Sequence, residues 1–182
     1  MIRLPVPPHR LRVAALAGAT ALGLAALGFV VVPAAAASGP PPECRTADLA
    51  FALKPGSPGA GQRYATVVLT DVSGHSCSVT GYGGLGLLGS PGQGVPTDLV
   101  RQSSPAPGTV VLAPGQSARS LLHWSAIPSA GEPSGGCEPT AATAVVTPPD
   151  ETTSALRSWS FGPVCGHGLI QQNAYVAGSA AF

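Results

Sequence analysis

Charged side chains are scarce in this chain: Asp, Glu, Lys and Arg make up 9% of its 182 residues, against about 25% in an ordinary globular domain. Aromatics are thin as well, at 5%. Few cations means no electrostatic basis for holding a nucleic acid, whose binding rests on Lys and Arg neutralising phosphates. The sequence has no G-x-S-x-G, the sharp elbow that exposes a hydrolase serine, and no C-x-x-C to seed a zinc site. Beyond residue 37 there is almost no helix-length apolar run free of Gly or Pro, which argues against a helical fold. Gly (24) and Pro (20) take up the space that charge leaves vacant, and both belong to turns.

What is present starts with an N-terminal segment in three parts. Arg3, Arg10 and Arg12 precede apolar Val13 to Val32, and small residues Ala34 to Ala37 follow. This reads as a secretory signal peptide over 1–37, cut before Ser38 after Ala35-x-Ala37. The alternative is a single N-terminal anchor over residues 13–32, since twenty residues approach the length of a bilayer span. Gly18, Gly23 and Gly28 weaken that span, and no basic stop-transfer cluster follows. Removal of the segment takes three of the nine Lys and Arg, leaving six against eight Asp and Glu and a weakly acidic domain. All four cysteines, Cys44, Cys77, Cys137 and Cys165, lie beyond it, as expected for a secreted domain oxidised outside the cytoplasm.

The remaining 145 residues make one domain of ordinary size, with a Pro-rich linker at 38–43, a folded unit at 44–177 and a C-terminus at 178–182 expected to fray. Its periodicity is near two. Leu49, Phe51 and Leu53 alternate, and Tyr64 to Thr70 is rich in β-branched and aromatic residues, so two strands are expected, joined across the Pro- and Gly-rich loop 54–61. Further short strands are expected at 77–80, 85–88, 99–102, 109–112, 117–124, 140–147 and 158–164. Ala113-Pro114-Gly115-Gln116 predicts a tight turn between Val110–Leu112 and Leu121–Trp124, and hence a hairpin. The fold class is all-β, an antiparallel sandwich or barrel.

Several segments resemble a known family. Cys44-Arg-Thr-Ala-Asp-Leu, the run Thr70-Asp-Val-Ser-Gly-His-Ser-Cys77-Ser-Val-Thr-Gly81-Tyr82, the Leu112 to Ala118 turn, His123-Trp124, Cys137 and Cys165 are similar to DUF4232, a domain of unknown function found in small secreted actinobacterial proteins. The resemblance covers about Glu43 to Val176. It implies an exported immunoglobulin-like β-sandwich with paired cysteines, and it carries over no catalytic residue. Its most specific element is Cys77 to Tyr82, after which members continue with a proline where this chain has Gly83.

Strand geometry selects among the three pairings open to four cysteines. Folding 49–53 against 64–70 around Gly59 sets residue 44 opposite the middle seventies, within reach of Cys77. Folding 140–147 against 158–164 brings Cys137 beside Cys165. Two disulfides, Cys44–Cys77 and Cys137–Cys165, are therefore expected.

Other residues have a sharper and a blander reading. His75 and His167 lie near cysteines, but thiols exported and oxidised do not bind metal, and no metal or cofactor is expected. Of His123 and Trp124, adjacent in a strand, one faces the core, and Trp124 is the expected core residue. Asp71, Asp98, Asp150 and Glu151 would serve glycoside hydrolysis only if two converged on one cleft. Gly81 to Gly86 lacks the helix a nucleotide loop needs and reads as a turn or bulge. The expected function is a non-enzymatic extracellular or cell-envelope binding or structural module without a catalytic site. Loop tips such as 80–84 or 103–108 would meet an extracellular protein or a glycan. The alternative is a secreted hydrolase with an unrecognised site, for which His123 or His167 beside an acid in a pocket would be the sign.

Overall fold

The computed structural model describes residues 39–132 and 136–182; the signal segment 1–37, its cleavage before Ser38 and the anchor alternative 13–32 lie outside the described residues. A 3-10 turn, Thr46–Asp48, precedes twelve strands among the described residues. They are β1 (Leu49–Pro55), β2 (Gln62–Asp71), β3 (Cys77–Thr80), β4 (Gly84–Leu88), β5 (Gly94–Val95), β6 (Asp98–Arg101), β7 (Thr109–Leu112), β8 (Ser117–Ser125), β9 (Thr143–Thr147), β10 (Ala155–Ser158), β11 (Leu169–Gln172) and β12 (Val176–Ala177). Among the described residues no helix is long and apolar enough to cross a membrane.

The strands form a sandwich. One sheet runs β1-β2-β8-β11-β6 with β12 also on β8, a second runs β10-β9-β4-β5, and β3 pairs with β7. One core joins the layers: Val67, Leu69, Leu122 and Ile170 from the first sheet meet Leu87, Ala144 and Val146 from the second. The central strand β8 shows why this sequence forms a sheet. Ala118, Ser120, Leu122 and Trp124 are buried, and the residues between them are partly exposed, the two-residue period of a pleated strand with one face inward. Burying a side chain such as Leu122 stabilises the fold by about 1.5–3 kcal/mol.

The β1–β2 hairpin forms as the alternation predicts, with Leu49 opposite Asp71 and Pro55 opposite Ala65. Both disulfides join the expected partners, Cys44 to Cys77 and Cys137 to Cys165. The expected hairpin at 110–124 does not form. Its turn is there: the Gln116 N–H donates to the Ala113 carbonyl at 2.8 Å. Pro114 at the second turn position and Gly115 at the third with φ +83° make it a type II turn. The flanking strands, however, pair elsewhere, β7 with β3 and β8 with β2. The end of β2 clamps the turn, since the Asp71 N–H donates to Gln116 O at 2.9 Å and the Gly115 N–H donates to Asp71 O at 2.8 Å.

Two further differences concern the last third of the chain. The strand expected at 158–164 lies earlier, as β10, paired with β9 from Ala155–Val146 to Ser158–Thr143. The Trp159 N–H still donates to Ala142 O at 2.9 Å, and beyond it the chain leaves the ladder: Pro163 has no N–H to donate, and the Trp159 indole donates to Gly162 O at 2.8 Å across a local turn. β11, absent from the sequence reading, pairs antiparallel with β8 and parallel with β6, so the sandwich is not wholly antiparallel.

Both chain ends of the domain are held. From Pro41 the Pro-rich segment is tied to β3, with the Ser78 N–H donating to Pro42 O and the Cys44 N–H to Ser78 O, each at 2.8 Å. Residues 178–182 lie along the outer face of the first sheet. Lys54 Nζ donates to Ser179 O at 2.6 Å, the Phe182 N–H donates to Thr66 Oγ1 at 3.2 Å, and the Arg119 guanidinium lies 4.1 Å from the Phe182 ring centroid.

Candidate functional site

Arg63 and Trp124 are register partners across β2 and β8, on the side of each strand that faces the core. Arg63 stands at the start of its strand, where the opposing layer ends, so it reaches solvent while Trp124 remains 2% exposed. Trp124 packs against Trp159 at 5.1 Å between ring centroids and edge-on to Phe161 at 6.2 Å; Trp159 and Phe161 meet at 5.0 Å, also edge-on. These offsets suit the ring quadrupoles and hold the three rings in place.

An open cleft of about 360 Å³ lies beside this cluster, bounded by Arg63, Tyr64, Trp124, Ser160, Phe161 and the Pro55–Pro58 bend, with no carboxylate among the described residues that line it. The Gly56 N–H donates to Tyr64 O at 2.9 Å and fixes that bend. The Trp124 indole N–H is buried without a hydrogen-bond partner among the described residues, whereas the Trp159 indole has one. An orphan donor of this kind is uncommon in a folded protein.

The Tyr64 side chain lies on the opposite face of the sheet from Arg63 and Trp124, beside His123. His123 stacks on it at 4.6 Å and 12° between planes, and the imidazole is bracketed by Gln62 Oε1 at 2.7 Å from Nε2 and Gln171 Oε1 at 3.2 Å from Nδ1. Two amides and no acid surround His123. The main-chain N–H of His167, not its ring, donates to Glu132 Oε1 at 3.2 Å, and the same carboxylate accepts from the Ser129 N–H. Desolvation acts to raise the Glu132 pKa, but the Ser129, His167 and Gly166 N–H groups and the charge of His167 outweigh it and hold the carboxyl below its ordinary range. The pair is solvent-exposed and takes no part in the cleft.

The two loop tips expected to meet a partner come together. The Gly81 N–H donates to Gly108 O at 3.2 Å, and Thr80 and Thr109 share a hydroxyl bond of 3.0 Å. Arg101 lies 5.3 Å over the Tyr82 ring, whose hydroxyl donates to Gln102 O. Next to Tyr82, Gly83 is packed so closely that a Cβ there would come 2.5 Å from Thr147 O and 3.3 Å from the Tyr175 ring. The missing side chain at Gly83 thus lets this loop settle directly on β9. Tyr175 itself is buried with an unpartnered hydroxyl, and burial pushes its pKa well above the ordinary phenol value.

The remaining singled-out residues serve the fold. Glu151 Oε2 accepts from Thr46 Oγ1 at 2.9 Å and Thr46 N–H at 3.2 Å, pinning the 3-10 turn. Asp71 is buried and caps its own turn by accepting the Ser73 N–H at 2.8 Å. Asp98 opens β6 on the exposed side, and Asp150 occupies a turn at φ +57°. Among the described residues no three His, Cys, Asp or Glu side chains gather as metal ligands.

Residues 44–175 match the family model described as "Domain of unknown function (DUF4232)". The chain belongs to the DUF4232 family. The matched span runs from the first disulfide cysteine to buried Tyr175, so this DUF4232 domain includes both disulfides, the aromatic cleft and the loop pair. No curated protein and no solved structure matches the chain.

Sequence reading missed the cleft, taking Tyr64 and Phe161 as ordinary strand residues and giving Arg63 no role. A signal was there. The chain has only four Phe, three Tyr and two Trp, and Trp159-Ser-Phe161 places two of these nine aromatics in a segment interrupted by Gly162-Pro163, where a buried strand is least expected.

Proposed function

We propose that this DUF4232 domain acts outside the cytoplasmic membrane as a non-enzymatic binding module, exported behind residues 1–37 and clamped by its two disulfides. The observation that carries this reading is the cleft: a cation and a partly exposed aromatic ring around one open space, with no carboxylate among the described residues that line it. Catalysis by acid–base pairs needs titratable groups converging on a substrate. The cleft offers instead fixed faces and donors, which is what recognition requires. The disulfides fit an oxidising compartment, where a rigid module can display such a surface.

The test is affinity capture. The full chain is expressed with export and immobilised, then exposed to the producing cell's envelope and culture fluid, beside an Arg63→Gln variant of equal thermal stability. Enrichment of a glycan or protein species by the parent and its loss with the variant supports binding at the cleft. Equal capture by both moves recognition elsewhere on the domain, and turnover of the captured material would revive the hydrolase alternative.

A further inference from the structure

Resting on that reading, we infer that the cleft takes a carboxylate-bearing sugar, with the ring against Phe161 and the carboxylate on Arg63. Charge sets the sign. Among the described residues Arg63 is the one ionised side chain in the cleft lining, and it is exposed. A guanidinium presents paired donors that match a carboxylate in two parallel hydrogen bonds.

The shape of the walls selects a ring. The C–H groups of a pyranose carry a slight positive charge and pack well on the negative face of an aromatic ring. Phe161 is partly exposed and already immobilised by Trp124 and Trp159. Little side-chain entropy is then lost when a ligand arrives. A volume of about 360 Å³ is at the small end for ligand sites, enough for one or two sugar rings.

An extended peptide is disfavoured by the backbone around the site. Adding a strand needs free main-chain groups on a sheet edge. Here the edge strand β1 has its Phe51 carbonyl taken by Arg157 Nε at 2.9 Å, and the Gly56–Tyr64 hydrogen bond closes its end.

The experiment uses the exported full chain and four probes: a glucuronic-acid disaccharide, its neutral glucose counterpart, a glucosamine disaccharide and an acidic peptide. Binding is read by tryptophan fluorescence and by the indole N–H resonances. The acidic disaccharide is expected to shift the Trp124 indole signal, to bind at least tenfold more tightly than the neutral and cationic sugars, and to lose tenfold or more in Arg63→Gln. Phe161→Leu is expected to weaken all sugars alike. Arg63 is exposed at a strand start, so its variant keeps the proposal testable should Phe161→Leu unfold the domain. Equal binding of neutral and acidic sugars would overturn the charge assignment. Binding of the peptide alone would overturn the sugar and leave the binding module standing. Should no probe bind, the sugar assignment fails, and the Arg63-dependent capture described above decides separately whether the cleft binds anything.

Discussion

Arg157 on β10 reaches across to Phe51 on β1: its Nε donates to the Phe51 carbonyl at 2.9 Å, and its guanidinium lies 5.4 Å from the centre of the Phe51 ring. Each strand is the outermost of its own sheet. One side chain thus ties two sheet edges together and occupies a carbonyl that would otherwise be open to another chain.

Replacing Arg157 by Ala is therefore expected to cost about 1–2 kcal/mol, since a charge-assisted hydrogen bond and a partly exposed cation–π contact are lost together. Urea denaturation measures the loss. Sedimentation should also show more self-association than in the parent, because the edge of β1 is uncovered; an unchanged profile on both counts would remove Arg157 from this role.

The disulfides close segments with cysteine separations of 33 and 28 residues. On a chain-entropy basis each stabilises the fold by about 3.5 kcal/mol. A Cys44→Ser/Cys77→Ser double variant is expected to unfold at markedly lower denaturant, and so is Cys137→Ser/Cys165→Ser. Thermal scans with and without reductant give the same comparison on the parent, and a transition indifferent to reductant contradicts it.

Gly83→Ala should be far more harmful than a surface substitution. The added Cβ would meet the Thr147 carbonyl at 2.5 Å, and that oxygen belongs to the β9 backbone and cannot swing aside. Overpacking of this kind costs about 1–3 kcal/mol, which is about 2–10 °C in melting temperature for a domain of this size. Gly92→Ala is the control for loss of a loop glycine, since nothing lies within 4 Å of a Cβ there, though its φ of +95° adds backbone strain of its own. Should Gly83→Ala melt with the parent, the close approach to β9 is not tight.

Tyr175→Phe is expected to leave the fold as stable or to improve it by up to about 1–2 kcal/mol, because the buried hydroxyl has no partner and its removal abolishes a desolvation cost. The pH dependence follows from the raised pKa. The folded state favours the neutral phenol, so its contribution is full below the ordinary value of 10.0 and is lost as pH climbs above it, where the unfolded chain ionises first. The parent should lose stability above about pH 10, and Tyr175→Phe should lose less. Parallel alkaline unfolding curves would refute the account.

Much of the architecture is legible in local chain chemistry. Alternation at Leu49, Phe51 and Leu53 and the β-branched run of β2 place the first hairpin, and a hairpin's register carries Cys44 to Cys77 without further information. Cys137 and Cys165 meet for the same reason, even though β10 lies a few residues before its expected place, because the β9–β10 fold-back sets the pairing. Trp124 is buried and His123 faces outward, as alternation along β8 requires.

Partner choice between strands is another matter. Ala113–Gln116 turns as its Pro and Gly dictate, yet β7 and β8 separate, because Asp71 holds the turn and β2 and β3 compete successfully for the strands on either side. β11 is four residues long and owes its existence to pairing with both β8 and β6. The cleft is the extreme case. Arg63, Tyr64, Trp124 and Phe161 span nearly a hundred residues of chain and carry no shared spacing. Alternation and turn chemistry act over a few residues and can be read along the chain, whereas a site assembled from strand ends exists only once long-range hydrogen bonding has selected each strand's neighbours.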